Sequence, residues 1–451
     1  MSENKTKNLT LFALTWPIFI EILLHMLMGN ADTLMLSQYS DNAVAAVGVS
    51  NQILSVVIVM FGFVAQGAAI LIAQNLGAKN NQIAGKIAVM SISLNLLFSL
   101  ALSAALFIWA RQVLNVMDLP TELMGEAASY MQIVGGLIFV QALIMTTGAI
   151  LRSYGHTKDT MMVTIGMNIL NVIGNFFVIF GPFGFPVLGV IGVAYSTAIS
   201  RFIGFLVLVL LLIKRSEGQL DYMSFFRYQK RHVKSLLKIG VPSAGEQLSY
   251  NSSQMVITYF IAQLGTIAIT TKVYTQNIMM FIFLFSIAIG QGTQILIGHM
   301  IGARKIEDAY ERAIKSLRIS IIISLIMASI VYLIAKPLLG IFTDNVTILE
   351  QGAFLLLMTV ALEPGRAFNL VMISSLRAAG DVKFPVYIGI IVMWGIGVTT
   401  AWFFAIYLGL GLVGIWISFI ADEWIRGTLM LRRWKKRYWV DMNFIEEKEK
   451  A

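Results

Sequence analysis

The chain has no cysteine among its 451 residues, which excludes a disulfide framework and a thiolate metal centre alike. Charge is scarce as well. Asp, Glu, Lys and Arg make up 13% of the chain against 57% hydrophobic residues, where a soluble domain is about a quarter charged. No soluble core hides that much apolar surface, because close-packed cores stop growing at a few hundred residues. Catalytic motifs are missing too. The nearest look-alike of a nucleotide loop, Gly77 to Gly85-Lys86-Ile87, has its glycines too far apart and no Ser or Thr after the lysine, and no HExxH helix occurs. Direct ATP use and hydrolysis are not expected, so the chain does not read as an enzyme. The net charge of +9 is dispersed at the ends of apolar runs rather than gathered in a patch, so no nucleic-acid partner is expected. The first apolar run carries Glu21 and Asp32 and lacks a cleavage pattern, which excludes a signal peptide.

What the sequence has instead is a succession of long apolar runs. They fall near 9–37, 48–76, 86–110, 127–151, 160–181 and 187–213, then near 236–264, 272–301, 316–335, 351–376, 384–408 and 410–431. Runs of about 20 apolar residues cross the hydrocarbon layer as helices. Helices are required there, because lipid offers the backbone no hydrogen-bond partner. The short alternating segments of a membrane β-barrel are lacking. The chain reads as an all-α polytopic membrane protein of twelve transmembrane helices, with the lipid bilayer as its solvent.

The interval from Lys214 to Lys238 is polar and basic and divides the chain nearly in half. At a fixed shift of 225 positions the halves match. Pro17 and Glu21 recur as Pro242 and Glu246, and Gly77-Ala78-Lys79 as Gly302-Ala303-Arg304. Leu151-Arg152 with Gly155 recurs as Leu376-Arg377 with Gly380. This is a duplicated six-helix unit: an N-terminal lobe over 1–213, a basic cytoplasmic linker over 214–238, a C-terminal lobe over 239–434 and a polar cytoplasmic tail over 435–451. An even number of spans per unit brings both copies into the membrane from the same side, so the repeat is parallel. With both termini cytoplasmic, nearly all of the 33 Lys and Arg fall inside. The opposite side holds Arg111, Lys272 and Lys336, and Arg201 and Arg366 lie within spans. The duplication favours a monomer over the ring symmetry of a channel.

Read in order, several of these segments resemble the multidrug and toxic compound extrusion (MATE) family, nearer its DinF branch than its NorM branch. The carriers are Pro17 with Asn30-Ala31-Asp32-Thr33, Gly77-Ala78-Lys79, Leu151-Arg152-Ser153-Tyr154-Gly155, Asn171 to Gly181, and Leu188 to Ala194. The resemblance implies a V-shaped pair of six-helix lobes in a bacterial inner membrane. It also implies a secondary antiporter that exports small organic compounds, often cationic, in exchange for protons or sodium by alternating access. No cofactor is implied beyond the coupling ion. A flippase for a lipid-linked precursor, from the same wider superfamily, is the rival. It calls for several inward-facing Arg or Lys to hold a pyrophosphate, whereas Arg201 and Arg366 are the two read inside spans, outnumbered by acids.

A carboxylate at mid-membrane costs about 2.5–3.5 kcal/mol on insertion scales, so each one asks for a role or a partner. Asp32 lies fifteen residues after Pro17, the spacing of the family's cation-coupling aspartate. The resemblance therefore makes it the coupling acid, and sodium at Asp32 is the one metal the sequence admits. Asn168, Asn171 and Asn175 share one face of the fifth span. Asn171 and Asn175 read either as part of the Asp32 site or as interhelical amide bonds, and relatives commonly carry an aspartate where Asn175 stands. Glu21, three helical turns before Asp32, shares its face. Glu21, His25, Met28, Glu246, Tyr250, Glu363 and Arg366 are read as cavity residues. The missing aspartate at Asn175 leaves one carboxylate instead of two and tilts the coupling ion towards the proton; sodium-coupled relatives also place acids where this chain has Tyr250 and Arg366. Glu363 and Arg366, three residues apart around Pro364, read either as a static ion pair or as a pair that opens for cargo. Arg201, Asp422, Glu423 and Arg426, on the sixth and twelfth spans, are expected to pair among themselves at a lobe boundary.

Overall fold

The computed structural model describes residues 9–117 and 119–445. The polar tail beyond 445, and Lys5 and Lys7 at the other end, lie outside the described residues. Among the described residues twelve long helical rods follow one another. In the first half they are α1 (Leu11–Ser37), α2 (Asp41–Gly77), α3 (Asn81–Ile108), α4 (Thr121–Gly135 and Ile138–Ser153), α5 (Thr157–Phe180) and α6 (Gly189–Arg215). In the second they are α7 (Lys230–Gln263), α8 (Thr266–Gly302), α9 (Ile306–Leu333), α10 (Val346–Ala379), α11 (Lys383–Tyr407) and α12 (Gly411–Lys435). Among the described residues nine rods are long and apolar enough to span a membrane, and α4, bent by 40° at its break, makes a tenth. The other two are α7, polar from Ser243 to Gln254, and α12, which holds Asp422, Glu423 and Arg426 near its middle. α12 buries all three of these charged residues, whereas α7 leaves Asn251 and Ser252 of its polar stretch exposed.

The burial pattern is that of a protein in lipid. Leu206 and Leu210 of α6 and Ile322 and Ile326 of α9 are exposed, while Ser50, Ser91, Asn95 and Thr146 are buried. Helices in lipid gain nothing by hiding leucine from leucine-like tails, so polar side chains tie them together instead. Asn95 Nδ2 donates to Thr146 Oγ1 at 2.6 Å and to the Ala142 carbonyl at 3.2 Å, joining α3 to α4.

The described chain falls into two compact units. One comprises Ile20–Leu76 with Asn80–Gly240; the other comprises Gly77–Lys79, the chain from Val241 onward and the start of α1 up to Phe19. Their separate cores use the same repeat positions. Leu36, Ala110, Leu114 and Tyr130 are buried in one, and Ile261, Ala335, Leu339 and Leu355, each 225 positions on, in the other. Short helices Ala110–Asn115 and Ala335–Gly340, which hydropathy merges with the flanking spans, obey the same shift. So does the backbone: Lys79 and Arg304 both take left-handed φ values, 59° and 56°.

The linker is shorter than the polar composition suggests. α6 runs to Arg215 and α7 begins at Lys230, so helix absorbs both ends of the 214–238 interval. What remains is fastened to α3. Ser93 Oγ donates to the Phe225 carbonyl at 2.7 Å, and Gly85 admits the Gln219 carbonyl where a Cβ would lie 1.9 Å from its oxygen.

Candidate functional site

Asp32 and Asn175 each lie five positions short of their helix ends, on α1 and α5, and both are buried. Asn175 Nδ2 donates to Asp32 Oδ1 at 2.6 Å. The chain of polar contacts continues inward along α5 and onto α6. Asn175 Nδ2 also approaches Asn171 Oδ1 at 3.4 Å, Asn171 Nδ2 donates to Thr197 Oγ1 at 3.2 Å, and Ser196 Oγ donates to the Asn171 carbonyl at 3.0 Å. Gly174 makes this approach of α5 and α6 feasible, since a Cβ there would lie 2.3 Å from Ser196 Oγ. Asn168 turns back to the Thr164 carbonyl of its own helix and takes no part. Around Asp32 stand Tyr130, whose hydroxyl donates to Asn51 Oδ1 at 3.2 Å, and Arg201, near enough to act on Asp32 electrostatically. The Nε of Arg201 and the Oδ1 of Asn175 are buried without a hydrogen-bond partner.

Glu21 is not a free cavity acid. Its Oε1 accepts from Arg152 Nη1 at 2.6 Å and its Oε2 from Thr160 Oγ1 at 2.9 Å. At the matching positions of the repeat, Glu246 Oε2 accepts from Arg377 Nη2. Neither carboxylate stands free: a buried carboxylate needs a counter-charge, and each is neutralised by the arginine of the duplicated Leu-Arg pair. Half-buried His25 has Glu21, Arg152 and Arg201 as charged neighbours. Met28, also half-buried, lies one turn before Asp32 on α1.

In the other unit, Arg366 Nη1 binds Glu363 Oε1 at 2.7 Å and its Nε lies 3.6 Å from Glu423 Oε1. Arg426 Nη2 is 2.5 Å from Asp422 Oδ2 and 3.2 Å from Glu423 Oε1. Asn369 Nδ2 donates to Glu423 Oε2 at 2.8 Å. Tyr250 belongs to the electrostatic surroundings of Arg366, Glu423, Arg426 and Asp422. The sequence pairing of Arg201 with the twelfth-span acids is thus corrected. Asp422 and Glu423 take Arg426 and Arg366 of their own unit, because helical spacing and the α10 face supply those guanidinium groups first. The count of interior cations is corrected with it. Arg152, Arg377 and Arg426 join Arg201 and Arg366, so acids barely outnumber bases and the charge argument for cationic cargo weakens.

The MatE family model matches two stretches of this chain, residues 17–177 and 242–403. Their starts, at Pro17 and Pro242, are the 225-residue shift again. The chain belongs to the MatE family. It is 58% identical to the uncharacterized transporter YisQ of Bacillus subtilis (strain 168), over 98% of this chain and 97% of that one. To the probable multidrug resistance protein NorM of Thermotoga maritima it is 29% identical, over 95% and 93%. A solved structure described as MATE in the bent conformation is similar at a TM-score of 0.87 and 20% identity, over 95% of this chain and 94% of that one. The fold is that of MATE transporters, and the chain is a multi-pass membrane protein of that fold.

Within this MatE chain the sequence found Asp32, Asn171 and Asn175, and the structure brings them together. It missed Thr197, Arg201 and Tyr130 beside them, and Asn369 in the other unit. Thr197 and Arg201 had a signal: they are four apart on α6, one turn of a single face. Tyr130 had none, since it stands on the bent α4 where periodicity fails.

Proposed function

We propose that this protein is a secondary active antiporter that exports small organic compounds across a bacterial inner membrane in exchange for protons. The observation that carries the reading is Asp32. Glu21, Glu246, Glu363, Asp422 and Glu423, which lie well inside their helices, each have an arginine in ion-pair contact. Among the described residues Asp32 has only a neutral amide bonded to it. An ionised carboxylate so placed is stabilised by water or by a bound cation, and a protonated one by a dry site. Its proton therefore follows whether the site is open or closed. A single carboxylate with Arg201 nearby disfavours sodium, which wants several oxygen ligands.

Multidrug export is supported by the printed description of the NorM relative as a probable multidrug resistance protein. The lysine and arginine asymmetry supports cytoplasmic termini. A pyrophosphate-bearing lipid is disfavoured because interior arginines other than Arg201 are engaged by carboxylates. In the cycle, Asp32 takes a proton from outside as cargo leaves, and gives it up inside as new cargo enters. Coupling requires proton and cargo to favour different states by a few kcal/mol. The test is counter-flow in proteoliposomes with pH and sodium gradients imposed separately. A pH gradient is expected to drive export with sodium omitted, and Asp32→Asn to abolish it while the purified chain stays folded. Export driven by sodium alone, or full activity in Asp32→Asn, overturns the reading.

A further inference from the structure

The unit beginning at Val241 holds a charge cluster that the Asp32 site does not use. Glu363, Arg366 and Asn369 recur in steps of three along α10, and Asp422, Glu423 and Arg426 stand on α12. Asp422 is 11 residues into α12, roughly 17 Å along a helix rising 1.5 Å per residue, so the cluster is near mid-membrane. Gly365 and Gly427 let the two helices meet there. A Cβ on the first would lie 2.6 Å from the Trp424 ring, and on the second 2.8 Å from that of Phe368.

Three carboxylates face two guanidinium groups. With all five ionised the cluster carries one uncompensated negative charge, which a lipid-embedded bundle does not tolerate without a proton or a cation. The surrounding helices supply no third cation. α7 contributes Tyr250. α8 contributes Phe283, whose ring centroid lies 5.0 Å from the Arg366 guanidinium. α11 contributes Gly397, whose added Cβ would lie 3.6 Å from the Asp422 carboxyl. No other charged side chain enters the electrostatics of Glu363, Arg366, Asp422 or Arg426.

Hydrogen bonding shows the same deficit independently. Glu363 Oε2, Asp422 Oδ1 and Asn369 Oδ1 are buried acceptors with no donor, while the one spare donor of the cluster is Arg426 Nε. All three acceptor residues are more than nine-tenths buried, Glu363 completely. A proton on a carboxyl of this cluster removes the surplus charge and turns one orphaned acceptor into a donor.

We propose that Glu363, Asp422 and Glu423, with Arg366 and Arg426 among them, form a second proton-binding site that holds one exchangeable proton independently of Asp32. A proton is assigned rather than a metal ion because each carboxylate already turns an oxygen to an arginine. No group of three or more acidic or imidazole side chains is placed to hold a metal among the described residues. Tyr250 and Arg366 are the least buried members of the cluster. Next to it α11 loosens into π-helical turns over Met393–Val398, a local widening common beside functional groups.

Infrared difference spectra of the purified full-length protein, taken between acidic and alkaline sodium-free buffer, test this through the carbonyl stretch of protonated carboxyl groups. Asp32→Asn is expected to leave a titrating signal of one carboxyl. On that background Glu363→Gln or Asp422→Asn each removes it, since two carboxylates then balance two arginines. Arg366→Gln doubles it, a gain that misfolding does not imitate in a protein eluting as wild type. No residual signal in Asp32→Asn, or a residual signal unmoved by Glu363→Gln and Arg366→Gln, overturns the second site. If Asp32→Asn leaves the wild-type signal whole, the Asp32 reading fails and this one stands.

Discussion

A buried arginine is costly without a counter-charge, and Glu21 with Arg152 and Glu246 with Arg377 answer that cost in the same way twice. The side chains are 12% and 18% exposed in the first pair and 13% each in the second, so screening by water is slight. Removing one partner strands the other, and such losses typically cost about 3–5 kcal/mol, whereas replacing both by apolar groups is often near neutral. Glu21→Gln is therefore expected to lower the thermal unfolding midpoint of the purified protein sharply. Glu21→Gln with Arg152→Met should recover most of the loss. A double variant as unstable as the single one would mean that the pair is not the source. At this scale the sequence exposed the acids, because a carboxylate in an apolar run is visible on sight. It hid their partners, which lie 131 positions away in both copies and looked like loop signatures.

Helices were legible where apolar length alone decides them, and obscure where polar contact does. All twelve rods overlap the apolar runs, and the largest shifts are at helix starts, where α9 begins ten residues and α2 seven residues before its run. The break in α4 was not legible, because Gly135-Gly136 reads as part of one apolar run. α10 and α12 cross through glycines whose need appears only when both helices are present. Gly365→Ala would push a methyl into the Trp424 ring, and overpacking of this kind costs about 1–3 kcal/mol. Trp424→Leu in the same chain should relieve it, read as recovery of the unfolding midpoint.

Outside the membrane, α9 is tied to the segment after α12 by Arg437, which binds both carboxylate oxygens of Glu307. The arginine holds the Glu307 carboxyl below its ordinary value. A depressed acid contributes stability above its unfolded value and loses it as pH falls through the folded one. Protection of the amides over 434–442, taken against the intrinsic exchange rate at each pH, should therefore fall on acidification and with salt. In Arg437→Gln it should already be low at neutral pH; unchanged protection there would remove the contact from the account.

At the scale of the whole molecule the repeat duplicates scaffold and not charge. The unit containing Asp32 balances Glu21 and Asp32 against Arg152 and Arg201. The other sets Glu246, Glu363, Asp422 and Glu423 against Arg366, Arg377 and Arg426, and is left one negative charge in excess. In the N-terminal half the asymmetry is legible in sequence, since the position 225 residues after Asp32 is Ile257. The structure adds a second asymmetry in the other half, invisible earlier because its partners come from separate helices. One proton makes the interior of that second unit neutral, whereas the unit containing Asp32 is neutral with Asp32 ionised and gains one positive charge when Asp32 takes a proton. Exporting a monovalent organic cation for two protons then moves one net charge per cycle, worth about 2.3 kcal/mol per 100 mV. For such a cargo, identified by screening, export in proteoliposomes should quicken when the potassium-clamped potential is negative on the cytoplasmic side. Glu363→Gln, which leaves only the Asp32 proton to exchange, should make the cycle electroneutral and abolish the response to potential while export driven by the pH gradient persists. Potential-dependence that survives Glu363→Gln would assign the moving charge elsewhere.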